Sequence, residues 1–166
     1  KDFNVPPAFF GVGSTPILEG NLLITMVGGQ PDSGMVAFDA TTGKTVWQNV
    51  GGKTWNGEPM LGWRGERTVL WQEHWKQASY ASPGAATVNG KRMIFCLMRQ
   101  GLVVLDAKDG SEYFSRWFRS QLNDTVNAAN PIVIGNEVHC SAAYYGVGGF
   151  TLRIKPDNHS FDSVWA

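Results

Sequence analysis

Short apolar runs, each closed by a glycine or asparagine turn, set the pattern of this chain. Residues 22–27 are apolar apart from Thr25, and residues 35–38, 93–98, 102–105, 138–143 and 150–154 repeat the theme. As the middle strands of their units, these runs are expected to be covered on both faces. Shorter, more polar runs flank them at 16–18, 45–47, 85–88, 113–114, 131–134 and 161–165. Those read as edge strands. Tight turns fall at Gly20, at Asn89-Gly90 and at Gly135-Asn136. Asn-Gly between two apolar runs is a strong two-residue hairpin signal.

The runs are organised as a repeat. From Gly34 to Trp47 the order is apolar strand, Asp39, a turn ending at Gly43, then a strand carrying Trp47. Gly101 to Phe114 repeats it with Asp106, Gly110 and Phe114 at the same spacings. A looser copy runs from Phe150 to Trp165, and its turn reads as two residues longer, measured from Lys155. A repeat of this size decides the architecture ahead of local propensity. Four antiparallel strands per unit, with apolar middle strands, describe a propeller blade stacked between neighbours. Pro16, Pro83 and Pro131 each open a unit. Proline is tolerated there because a strand start or sheet edge does not need its missing donor.

The fold expected is therefore all-β: a β-propeller segment of three four-stranded antiparallel blades, part of a seven- or eight-bladed propeller. The blades span 11–48, 79–117 and 128–166, with a Trp-rich insertion at 49–78. A β-sandwich is the rival fold, but it does not require the recurring Asp–Gly–aromatic turn. Closed propellers have about four to eight blades. The chain is thus expected to be a fragment of a larger propeller. Its two terminal faces are expected to be apolar and prone to self-association.

The stretch from Ala37 to Trp47 (Ala-Phe-Asp-Ala-Thr-Thr-Gly-Lys-Thr-Val-Trp) resembles the tryptophan-docking motif of PQQ-like β-propeller repeats, Ala-x-Asp-x-x-Thr-Gly-x-x-x-Trp. The second unit keeps Asp106 and Gly110, with Phe114 in place of Trp; the third keeps Trp165. The resemblance spans the chain outside 49–78. It implies a docking role for Ala37, Asp39, Thr42, Gly43, Trp47, Asp106, Gly110, Phe114 and Trp165. It covers both quinoprotein dehydrogenases and cofactor-free relatives, including planctomycete-type propellers and the propeller lipoprotein of outer-membrane barrel assembly. The same residues have a direct physical reading. Asp39 can accept amide bonds from the turn it opens, Gly43 can take positive φ, and Trp47 offers a broad surface to an adjoining blade.

Composition narrows the function. Net charge is zero, with no basic stripe, so nucleic acid is not an expected partner. No apolar run approaches the roughly 18 residues of a membrane-spanning helix. Cys96 and Cys140 sit in apolar runs and are expected to be buried free thiols rather than a disulfide. His74, His139 and His159 lack metal-ligand spacing, and no acidic cluster has calcium-loop spacing.

In an up-and-down blade, the long loops gather on one rim, where function usually resides. The candidate ligand or partner face there comprises Trp55, Trp63, Arg64, Arg67, Trp71, His74 and Trp75 in the insertion, with Tyr144 and Tyr145. Indoles beside charged groups suit a sugar, a quinone or a peptide. Packing of the insertion onto the propeller is the simpler role, and Trp71 and Trp75 would share one face of a short helix.

The expected function is a non-catalytic scaffold or protein-interaction module without cofactor. Its partner would be a protein or the remaining blades. A periplasmic or otherwise extracytoplasmic location follows from the resemblance alone. The alternatives are part of a PQQ- and calcium-dependent alcohol or sugar dehydrogenase, and a glycan-binding propeller using the insertion. The resemblance gives many dehydrogenases a disulfide between adjacent cysteines, which this sequence lacks.

Overall fold

The computed structural model describes residues 3, 5, 8–28, 34–49, 77–120 and 126–166. These form three four-stranded antiparallel sheets and no α-helix. Sheet 1 holds β1 (Ile17–Glu19), β2 (Leu22–Met26), β3 (Met35–Asp39) and β4 (Thr45–Asn49). Sheet 2 holds β5 (Gly84–Val88), β6 (Lys91–Leu97), β7 (Gly101–Asp106) and β8 (Glu112–Trp117). Sheet 3 holds β9 (Ile132–Ile134), β10 (Glu137–Ala142), β11 (Gly148–Ile154) and β12 (Phe161–Trp165). Each strand pairs with its neighbour in sequence, without crossovers.

Sheet 2 lies between the other two, and strand periodicity divides its side chains between two cores. Met93, Phe95, Leu97, Leu102 and Val104 pack with Val138, Cys140, Phe150, Leu152 and Ile154 of sheet 3. The intervening Ile94, Cys96, Val103 and Leu105 pack with Ile24, Met35, Ala37 and Trp47 of sheet 1. Alternate residues of a strand point to opposite faces, so β6 and β7 must be apolar throughout.

This restricts the reading of the middle strands. β6 and β7 of sheet 2 carry buried side chains on both faces; in the outer sheets β2 and β10 alternate in burial, while residues 35–37 of β3 and 150–152 of β11 are buried without a break. The terminal faces also differ from the expectation that both are apolar. Sheet 1 presents Leu18, Leu23 and Val46. Sheet 3 presents Glu137 paired with Arg153, and His139 bonded to Thr151. Its outer strands still expose Ile132, Ile134 and Trp165.

The three β3–β4-type turns close over the same span. The N–H of Asp39 donates to the Lys44 carbonyl, that of Asp106 to Ser111, and that of Lys155 to Ser160. The third turn is therefore the same length as the others, which corrects the sequence reading. The two extra residues before Trp165 lie in the strand. The bulge that follows Ala37 in sheet 1 and Val104 in sheet 2 follows Thr151 in sheet 3, two residues farther from the turn. The αL residue is Gly43 and Gly110 in the first two turns, four residues after Asp39 and Asp106, but Asn158 (φ +63) in the third, three residues after Lys155, so the third turn closes one residue sooner inside the same span. Asparagine tolerates this region because its short amide can bond locally. Cys96 and Cys140 are free and buried in different cores, on opposite sides of sheet 2.

Candidate functional site

At the sheet 1–sheet 2 junction the indole of Trp47, buried, donates from Nε1 to the Ala107 carbonyl at 3.3 Å. Its ring lies on Gly110, where a Cβ would come within 2.4 Å of Cε3. Asn49 Nδ2 adds a bond to the Gly110 carbonyl at 2.9 Å. Asp39 holds the turn behind Trp47, accepting from the Thr41 and Thr42 amides and the Thr42 hydroxyl. Those bonds, the Thr42 amide first, hold its carboxyl below the usual range. Asp106 accepts from the Tyr113 hydroxyl at 2.6 Å. Burial, reinforced by Asp106, pushes that phenol up to about 12.

The sheet 2–sheet 3 junction uses the same position differently. Phe114 is buried, with its ring 5.0 Å from that of Phe161. It meets an aromatic ring rather than a glycine. Asn158, the αL residue of the third turn, accepts from Asn89 Nδ2. At the far end of the series, Trp165 is 61% exposed and rests over Gly149.

The opposite rim holds a buried polar cluster that the sequence reading did not single out. The β6–β7 link is the two-residue turn Arg99-Gln100, closed by bonds between Met98 and Gly101. The rim is thus not uniformly long-looped, because a two-residue link suffices where both strands are buried on both faces. Asn127, fully buried, donates from Nδ2 to the carbonyls of Met98 (2.8 Å) and Phe118 (3.0 Å). Its own carbonyl accepts from Tyr80, Ala81 and the Ser79 hydroxyl. One side chain and one peptide thus tie three loops together. Arg99 Nη1 donates to Gln77 at 2.8 Å, and Arg119 Nε donates to the Ser120 carbonyl. Arg116 places its guanidinium 4.3 Å from the centre of the Phe150 ring. Burial lowers its pKa from the ordinary arginine value. An isolated Arg99 or Arg119 in sequence carries no burial signal, since arginine is mostly a surface residue.

Aromatic rings stand exposed around this rim. Tyr144 and Tyr145 lie 6.3 Å apart, on a 3-10 turn where Tyr145 takes φ +59. Phe9 (87% exposed) and Phe10 (73%) meet edge to face, and Phe10 leans on Tyr80 at 5.8 Å. Phe9 and Phe10 lie in the loop segment Val5 to Val12, which the sequence places on the long-loop face without singling out either ring. Trp55, Trp63, Arg64, Arg67, Trp71, His74 and Trp75, with the helix suggested by Trp71 and Trp75, lie outside the described residues.

Among the described residues, no group of three His, Cys, Asp or Glu side chains is placed to hold a metal ion. Nor is any helix long and apolar enough to cross a membrane. His139 bonds its cross-strand partner Thr151 at 2.7 Å, and His159 bonds the Tyr113 carbonyl at 3.1 Å. Comparison with protein-family models gives no match, and comparison with curated proteins finds none significantly similar.

Proposed function

We propose that the three sheets are consecutive blades of a PQQ-like β-propeller, and that the chain serves as a non-catalytic scaffold or protein-interaction module. The observation that carries this reading is the seat of Trp47 on Gly110. A motif in one sheet that fastens onto the same motif in the next is the logic of a radial repeat. The exposed rings of Phe9, Phe10, Tyr144 and Tyr145 on the loop rim support a protein partner. Aromatic side chains are enriched at such contacts. An extracytoplasmic location belongs to the same proposal through the family resemblance.

The test is direct. The protein is titrated with PQQ and calcium, following absorbance, tryptophan fluorescence and dye reduction with alcohols and sugars. No saturable binding and no turnover are expected. Stoichiometric binding with turnover would replace the scaffold reading with a dehydrogenase.

A further inference from the structure

We propose that the Asn89-Gly90 turn is a modification site: attack of the Gly90 backbone nitrogen on the Asn89 side chain expels the amide nitrogen that clasps sheet 2 to sheet 3.

The first hairpin turns of the three sheets differ in order. Sheets 1 and 3 have Gly20-Asn21 and Gly135-Asn136, whereas sheet 2 has Asn89-Gly90. The first residue of each pair takes positive φ: Gly20 +58, Gly135 +62 and Asn89 +46. Asparagine tolerates that region, though glycine takes it at less cost. The exchange of order changes where the amide reaches. Asn21 Nδ2 donates to Asp39 and Asn136 Nδ2 to the Ile154 carbonyl, each within its own sheet. Asn89 Nδ2 instead crosses to the β11–β12 turn, donating to the Lys155 carbonyl at 2.9 Å and to Asn158 Oδ1 at 3.0 Å. Both hydrogens of one amide are thus used between sheets that share no strand. The Lys155 carbonyl can only accept, which fixes Nδ2 as the atom facing it.

The same order creates the chemistry. The peptide nitrogen that follows Asn89 belongs to Gly90, which has no side chain to obstruct its approach. After Asn21 and Asn136 come Leu22 and Glu137, both with side chains and both in strands. Asn89 and Gly90 are exposed to water. The Gly90 nitrogen, giving its proton to a base in solution, bonds to Cγ of Asn89. The Cγ–Nδ2 bond breaks and the nitrogen leaves as ammonia, closing a cyclic imide. Water then opens the ring at either carbonyl, leaving aspartate or isoaspartate. The net change consumes water and releases ammonia, with no oxidation.

The group that leaves is the group that clasps. While Nδ2 holds both acceptors, Cγ is kept toward sheet 3, so the clasp must open before the attack. Afterwards a carboxylate faces two acceptors and has no proton to give. The Asn158 amide can turn over to meet it, but the Lys155 carbonyl cannot. Isoaspartate also adds a backbone carbon to a two-residue turn. The change is therefore one-way: a clasp that converts while open does not re-form.

Incubation of the protein in mildly alkaline buffer, followed by peptide mapping, tests this. The map separates Asn89 from Asn56, which glycine also follows. Aspartate and isoaspartate are expected at position 89. Asn158→Gly keeps a residue suited to positive φ but removes an acceptor, and should speed conversion about fivefold. Asn158→Asp keeps the acceptor and charges it, and should slow conversion below the wild-type rate. Opposite signs at one position are not what simple destabilisation gives. Asn89→Asp, the product made directly, should raise amide exchange at Asn158 about fivefold and leave Gly43 in the sheet 1 turn unchanged. Circular dichroism checks that each variant is folded; if Asn158→Gly is not, Asn158→Asp against wild type decides. Three results would each overturn the proposal: conversion at Asn89 in the urea-unfolded chain but never in the folded one, equal rates in wild type and the folded Asn158 variants, or unchanged exchange at Asn158 in Asn89→Asp.

Discussion

The indole of Trp47 lies on the backbone of Gly110, and this contact joins two sheets that share no strand. The glycine is needed twice over, for its positive φ and for the absence of a side chain under the ring. Trp47→Ala removes a large buried side chain and the bond to Ala107. A loss of about 3–5 kcal/mol in urea unfolding is expected.

The Glu19–Arg92 pair spans sheets 1 and 2 where the next junction uses Val88 and Val138. Both charged side chains keep contact with solvent, so the pair should contribute no more than about 1 kcal/mol. A double-mutant cycle with Glu19→Gln and Arg92→Gln should give a coupling of that size. Replacing both by valine should leave stability within about 1 kcal/mol, since a matched apolar pair can substitute for an ion pair.

Asn127 ties three loops through its side chain and its carbonyl. Asn127→Ala removes the side-chain donor to the Phe118 carbonyl and one of two donors to the Met98 carbonyl, which still accepts from Gly101, and should cost about 1–3 kcal/mol. Ser79→Ala removes a single bond to the Asn127 carbonyl, which still accepts from Tyr80 and Ala81. Its cost should be smaller, about 1 kcal/mol. Urea midpoints of the two variants decide between a hub and an ordinary loop contact.

Stability should fall at both pH extremes. Thr42 lowers Asp39, the Ser111 hydroxyl lowers Asp109, and the Ser160 hydroxyl lowers Asp157. The unfolded chain then binds more protons than the folded one in acid. The contribution is complete above the ordinary aspartate value of about 4 and is lost as pH falls through the depressed values. Asp39→Asn should flatten the acid limb of urea midpoint against pH.

At high pH the sign reverses. Burial pushes the Cys140 thiol, and burial with Asp106 the Tyr113 phenol, up to about 12. The folded state keeps protons that the unfolded chain releases from about 8.5 and about 10 respectively. Stability is full below those values and declines as pH rises through about 12. Tyr113→Phe should reduce that decline above about pH 10.

The strands and turns were legible because each carries a local signal. Asn89 and Gly90 both take positive φ, as their hairpin signature requires. Pro16, Pro83 and Pro131 each stand immediately before a first strand. The polarity of sheet 3's outer face was misjudged because apolar Val138, Cys140, Phe150 and Leu152 dominate its sequence while facing inward. On the other face Glu137 pairs with Arg153 and His139 with Thr151, cross-strand partnerships that depend on register. The Asn127 cluster was invisible because its partners are backbone carbonyls, which leave no trace in residue types. The displaced bulge before Trp165 was read as a longer turn because spacing alone does not say where an extra residue is absorbed.

The most direct test of stacked, indole-fastened sheets compares Gly110→Ala with Gly43→Ala by urea unfolding. Both glycines have nearly the same positive φ, so the backbone strain, about 1–2 kcal/mol, is common to both. Only Gly110 has an indole where the new methyl must go. Gly110→Ala should be the more destabilising by more than about 1 kcal/mol, and the excess should vanish when Trp47 is already alanine. Equal losses at the two glycines, or an excess that survives removal of Trp47, would contradict the docking of one sheet on the next.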